Sequence, residues 1–468
     1  MNISLFFGLL LAFGAGWMML EKLSFKTVSL EKAAYSMLFG LGLQSWWMFL
    51  LDIINFQFSQ SVLTVLNLVL IIALSDFDKL KQFKAAAFIN SIKDFVKTQL
   101  TNFHAGSAVA WLILIGLFYL IAVKSLFWPT TEHDAIGTFD KLGIWYAIEG
   151  KIHVSLYDVK LQGAGGIYPP LFPCSIAYTY LYGAENPKIL SLLYYVCTLA
   201  IFYAVASRYI SNFGAAIFTL VLGWAPEFFS HAALLLSNLP STAYVAAAAL
   251  PLFVWYKERE FRYFKIALLG ILFSVWLRQD LLAFAVAGFA VVLLYIVKHK
   301  QWLPIVLYAA AVLIPFAAWS WYVKADLHLS TAERFGAGSA ISLQKITMAA
   351  AYLWAYIGLG QTGSSPPGYF LYGIAFIFPI LLIALSAKSF FKTWNFTVLY
   401  FVAALAFYTL IFLLLDEKLQ DASLQSLMES SYKRGMFCFM PIILFQAAAT
   451  EKVQLFFAAI EKYLWTEE

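Results

Sequence analysis

Residues 108–134 read AVAWLILIGLFYLIAVKSLFWPTTEHD, and the fold follows from them. The first twenty carry one charge, Lys124. At ~1.5 Å rise per residue a helix of that length crosses the ~30 Å hydrocarbon core of a bilayer. It ends at Trp128 and Pro129, and Glu132, His133 and Asp134 follow at once. A spanning helix that delivers acidic side chains to the membrane surface is the unit from which the rest is read.

Similar runs occur on both sides of it, at 2–20, 33–55 and 60–75, and then at 188–207, 213–231, 239–256, 264–276, 281–297, 302–322, 369–386, 394–415 and 435–450. The expected fold is therefore all-α, a polytopic membrane protein with about 13 transmembrane helices. Residues 1–104 form an N-terminal accessory region with three spans and a cytoplasmic amphipathic segment at 76–103. Residues 105–468 form the main module. Met1–Leu20 lacks a basic leader and a small-residue cleavage site, so it is expected as a retained span.

Composition agrees. Of 468 residues 62% are hydrophobic and 12% charged, with mean hydropathy +0.78, whereas soluble domains carry about 25% charged residues. This excludes a water-soluble globular protein. The net charge of +5 is too small to imply a nucleic-acid partner. Cys174, Cys197 and Cys438 show no metal or redox spacing and read as buried small hydrophobes.

Basic residues gather in Lys22–Lys32, Lys79–Lys97, Lys257–Lys265, Lys298–Lys300 and Lys388–Lys392, which marks these loops as cytoplasmic. The run 347–360, only 14 residues long, is then expected as a re-entrant or surface helix on the opposite face, before the connector GLGQTGSSPPG. That face also holds the long loop 128–188, the junction at 277–281 and the segment 416–434. Any chemistry is expected there.

Wound as a helix from Asp134, the loop puts Ala135, Phe139, Leu142 and Tyr146 on one stripe. Asp134, Thr138, Lys141 and Trp145 fall on another. A carboxylate at the headgroup level can accept a proton from a hydroxyl, and an ammonium two turns later can meet a lipid phosphate. Arg278 and Asp280 lie between two spans, and Lys433 with Arg434 precede the last. The bland reading of each is an interfacial anchor. His133 and His231 form no H-x-x-x-H pair, so no dedicated zinc site is expected. Asp52 is the chief charge inside an apolar run and reads as an interfacial residue at the outer end of the second span.

The order of these features resembles the GT-C superfamily of membrane glycosyltransferases, a branch related to the protein O-mannosyltransferases and the lipid A aminoarabinose transferase. DAIGTFDKLGIWYAIEG and YPPLFPCSIAY are similar to its D-A-x-x-x-aromatic-x-K and Y-P-x-L-x-P patterns. LLLSNLPSTAYVAAAALPL, WLRQDLLAF and KRGMFCFMPIIL are similar to three later elements. The likeness covers roughly 105–468, with Asn238 where an aspartate is the rule and Leu281 in place of a glycine.

The resemblance implies an inverting transfer of a sugar from a polyprenyl-phosphate donor to the hydroxyl of a glycan, lipid or protein acceptor, on the outer face of a bacterial inner membrane. It makes Asp134 the general base, with Glu132 as its alternative or partner. Arg278, Arg434 and Lys141 become the phosphate contacts, with Tyr168, Asn238 and Asp280 as further substrate-binding residues. Glu132 and Asp134 supply hard oxygen ligands for a divalent cation (Mg, Mn or Ca), and related branches differ on needing one. The alternatives are a lipid-linked glycan transporter or flippase and a glycan polymerase or ligase.

Overall fold

The computed structural model describes residues 2–25, 29–75, 105–153, 168–327, 341–393, 395–414 and 423–465. The expected amphipathic segment at 76–103 and the glycines at 163–166 lie outside them. Among the described residues every regular element is helical. Eight helices are long and apolar enough to cross a membrane, or nine if the bent pair Leu424–Ala448 and Glu451–Tyr463 counts as one span. The chain is thus built as a multi-pass membrane protein.

The count of 13 is not confirmed among the described residues, where several apolar runs form shorter or broken helices. Gln60–Leu74 has 15 residues and Phe261–Leu277 has 17. The run 213–231 breaks after Gly223, where Pro226 restarts the chain as the short helix Pro226–His231. Proline is well placed at a first helical turn, where its missing N–H costs nothing. The run 369–386 divides between Gly368–Tyr372 and Ile377–Thr393. Hydropathy alone does not register such breaks.

Serines set the starts of several helices. Ser29, Ser59, Ser211 and Ser342 each accept the backbone N–H three residues on, satisfying a donor that the helix itself leaves orphaned. The helix Asn238–Glu258 is the axis of the bundle, buried over 94% of its spanning window. Its alanines let neighbours approach closely: a Cβ on Gly270 would lie 2.5 Å from the Ala247 carbonyl carbon. The peripheral helices are the apolar ones with least cover. Ser107–Phe127 is 22% buried and Leu303–Ala325 28%.

The first two helices, Ile3–Lys22 and Leu30–Ile53, meet through small residues. A Cβ on Gly16 would lie 2.0 Å from the Ser36 carbonyl oxygen, and one on Gly40 would lie 2.0 Å from that of Ala12. Close backbone approach through glycine is the usual basis of helix association where lipid removes the hydrophobic drive. Gly40→Leu should therefore push the pair apart and lower the yield of monodisperse protein in detergent, measured by fluorescence-detected gel filtration.

This N-terminal pair shares its core with the rest of the chain. Tyr244 donates to the Leu38 carbonyl at 2.7 Å, Tyr178 to the Gly8 carbonyl at 2.6 Å, and Trp276 Nε1 to Ser45 Oγ at 2.8 Å. Trp46 stacks on Trp276 with ring centroids 4.4 Å apart. Asp52 is buried within the bundle. It accepts the Ile152 N–H at 2.8 Å and the Tyr322 hydroxyl, so it ties Leu30–Ile53 to Leu303–Ala325 and to the segment after Gly150.

Candidate functional site

The chain after Pro129 turns at Glu132 and enters a π-helical turn, Ala135–Phe139, that continues as the helix Asp140–Glu149. Ala135, Phe139, Leu142 and Tyr146 are buried, while Asp134, Thr138, Lys141 and Trp145 are partly exposed, as the helical pattern predicts. The segment is pinned along its length. Tyr180 donates to Asp140 Oδ1 at 2.7 Å, and Gly150, in the left-handed region at φ 64°, ends the helix and accepts the Phe58 N–H at 2.8 Å. Burial pushes the Asp140 carboxyl above the ordinary carboxylate range, and the Tyr180 hydroxyl pulls it back.

At its start, Asp134 Oδ2 accepts Arg434 Nη1 at 2.5 Å, an ion pair between residues 300 positions apart. Arg434 is presented by an irregular stretch. A π-helical turn, Met428–Tyr432, passes through Lys433–Gly435 into a 3-10 turn, Met436–Phe439. A Cβ on Gly435 would lie 1.7 Å from the Tyr408 hydroxyl, so only glycine lets this stretch sit against the Asn395–Leu414 helix.

Arg278 stands where Phe261–Leu277 ends and before the 3-10 turn Gln279–Leu281. Its extended backbone turns the side chain toward the first turn of Asn238–Glu258. Nε and Nη2 grip Asp280 Oδ1 and Oδ2 at 2.9 and 2.7 Å, and Nη1 donates to Ser237 Oγ at 3.2 Å and Asn238 Oδ1 at 3.0 Å. Tyr168 places its ring 5.6 Å from the Arg278 guanidinium carbon and packs beside Phe139.

These groups meet in one crevice. Asn238, Ser241, Arg278, Asp280, Leu281, Tyr408, Arg434, Gly435 and Cys438 line its walls, which close too tightly to admit a water molecule. The sequence-predicted residues Asn238, Arg278, Asp280 and Arg434 share it, Asp134 joins through Arg434, and Tyr168 through Arg278. Lys141 lies on the surface helix and makes no ion pair among the described residues. Ser237, Ser241, Tyr408 and Cys438 escape a reading by motif. Ser237 is legible only as the neighbour of Asn238, and Tyr408 lies in an apolar run that carries no signal.

Donor arithmetic separates the two arginines. A guanidinium has five N–H donors. Arg278 has four of them engaged at the distances above, and its side chain is 10% exposed. Arg434 has two engaged, one on Asp134 and a long one of 3.4 Å to the Ser430 carbonyl, and its side chain is 25% exposed. Among the described residues Arg278 thus has one donor to spare and Arg434 three.

Behind Arg434, Lys433 Nζ lies 3.6 Å from Glu227 Oε1. Glu227 in turn holds His231 Nδ1, at 2.8 Å through its carbonyl and 3.4 Å through its carboxylate. On the other side, Glu429 accepts Tyr352, Gln425 and both the N–H and the hydroxyl of Ser364. The connector predicted as Gly- and Pro-rich thus wraps the turn that carries Arg434. Glu429→Ala removes all four acceptor contacts. It should raise amide hydrogen exchange over 357–368 while the buried helix 238–258 stays protected.

Glu132 does not join the crevice. Its carboxylate is nearest its own Thr131, whose N–H and hydroxyl lie 3.3 and 3.4 Å away, and it is within electrostatic reach of Lys188. Among the described residues no three His, Cys, Asp or Glu side chains gather as a ligand set. Glu132 and Asp134 face different partners here, Thr131 and Arg434.

No family model, curated protein or solved structure matches the chain.

Proposed function

We propose that the protein is a membrane glycosyltransferase that moves a sugar from a polyprenyl-phosphate donor to an acceptor hydroxyl at the outer face of the membrane. The observation that carries this reading is the Asp134–Arg434 pair at the rim of a crevice whose other wall is Arg278, Asp280 and Asn238. A proton acceptor, an unsaturated guanidinium and a rigid polar wall are what the reaction needs.

The acceptor oxygen forms a bond to the anomeric carbon as the bond from that carbon to the phosphate oxygen breaks, with inversion. The electron pair leaves with the polyprenyl phosphate, which gains one negative charge. The hydroxyl proton passes to Asp134. Arg434 meets the growing charge on the phosphate through its open N–H donors. Arg278 acts at one remove. Held by Asp280, Ser237 and Asn238, it fixes the crevice wall and carries the Tyr168 ring.

The positive-inside rule puts the basic loops in the cytoplasm and this crevice outside, which for a bacterial inner membrane is the periplasmic face. The proposal routes no step through a divalent cation. It is tested in proteoliposomes holding a radiolabelled polyprenyl-phosphate sugar, with release of polyprenyl phosphate as the readout. Movement of intact donor across the bilayer without bond cleavage would overturn it in favour of a transporter.

A further inference from the structure

The ion pair joins the two residues that the proposed reaction must hold apart. With Arg434 on Oδ2, only Oδ1 of Asp134 is left to an acceptor hydroxyl, and Arg434 cannot give a phosphate its full fork while Asp134 holds Nη1. Three features mark the pair as movable. The Asp134 side chain is 47% exposed, and an ion pair so open to solvent contributes little stability. Both partners sit beside π-helical turns, Ala135–Phe139 next to Asp134 and Met428–Tyr432 just before Arg434. Such turns make up well under 1% of residues and concentrate at functional sites. The crevice between them has, as it stands, no room for even a water molecule, so it must open before it can take a ligand.

The Arg278–Asp280 pair lines the same crevice but lacks the first two features. It is bidentate, its side chains are only 10% and 17% exposed, and no π-helical turn adjoins it.

From this contrast we infer that Asp134–Arg434 is a latch opened by the donor's own phosphate, an inference that rests on the lipid-phosphate reading above. A phosphate offers Arg434 more charge and a bidentate partner. It therefore displaces the carboxylate, widens the crevice and frees Asp134 for the acceptor hydroxyl. The base is fully unmasked only when a leaving group is in place, which protects the chain from idle proton transfer.

The test measures binding of a polyprenyl monophosphate to the full chain in nanodiscs, with the matching polyprenol as a control. Asp134→Asn leaves only a neutral competitor on Arg434, so it should bind the phosphate at least about tenfold more tightly than wild type. The double variant Asp134→Asn with Arg434→Gln should lose that gain. A merely structural pair would leave affinity unchanged or lower it, and either result for the single variant overturns the latch while wild-type binding still upholds the lipid-phosphate reading. Wild-type binding no better to the phosphate than to the polyprenol would sink the reading and the latch together. Displacement of the lipid by an equal concentration of inorganic phosphate would overturn the donor as the opening ligand.

Discussion

Replacement of Asp134 by Asn should lower sugar transfer about 10²- to 10⁴-fold, the usual contribution of a positioned general base. The amide keeps the size of the side chain and the oxygen that Arg434 contacts, but it accepts no proton from the acceptor hydroxyl. Folding should be little affected, because the residue is half exposed and its lost ion pair is of the surface kind, worth ~0–1 kcal/mol. The measurement is kcat for sugar release in proteoliposomes, with protein recovery and thermal midpoint compared in parallel. Retention of full activity would remove Asp134 from the chemistry. Glu132, which points to Thr131 and Lys188, would not replace it without a rearrangement of the turn.

Arg278 should behave in the opposite manner. Arg278→Met leaves the partly buried carboxylate of Asp280 without its bidentate partner and strips Ser237 and Asn238 of a shared donor. Breaking one side of a buried pair typically costs ~3–5 kcal/mol, which is a large part of the ~5–15 kcal/mol that holds a domain folded. Adding Asp280→Leu removes the stranded charge and should restore most of the loss. The comparison is of thermal midpoints in detergent for the wild type, the single and the double variant. If Arg278→Met instead kept its stability and lost only affinity for donor, Arg278 would be a direct phosphate contact, as its motif implies.

That difference shows where sequence ceases to be informative. The apolar runs determine the helices, because a polypeptide of this composition has no other way to satisfy its backbone in lipid. The charges that interrupt them, Asp134, Arg278, Asp280 and Arg434, are conspicuous for the same reason, and they converge at one end of the bundle. What the order of residues does not contain is the distance between them. Arg278 and Arg434 look alike as basic residues at span junctions, and only the geometry of Asp280, Ser237 and Asn238 distinguishes a strut from an open fork. Ser241 and Tyr408 contribute to the same wall from within apolar text, where a polar atom gives no sign of which way it faces. Tyr168, which the motif makes a substrate-binding residue, lies over the Arg278 guanidinium, a contact no motif specifies.

The 300 residues between Asp134 and Arg434 also matter while the chain is being made. At ~5–20 residues per second a ribosome adds that stretch in roughly 15 to 60 s. Throughout this interval the nascent protein already displays its acid at the surface, yet lacks the arginine that completes the crevice. On the proposed mechanism a product terminated before Lys433 lacks Arg434 and should release no sugar.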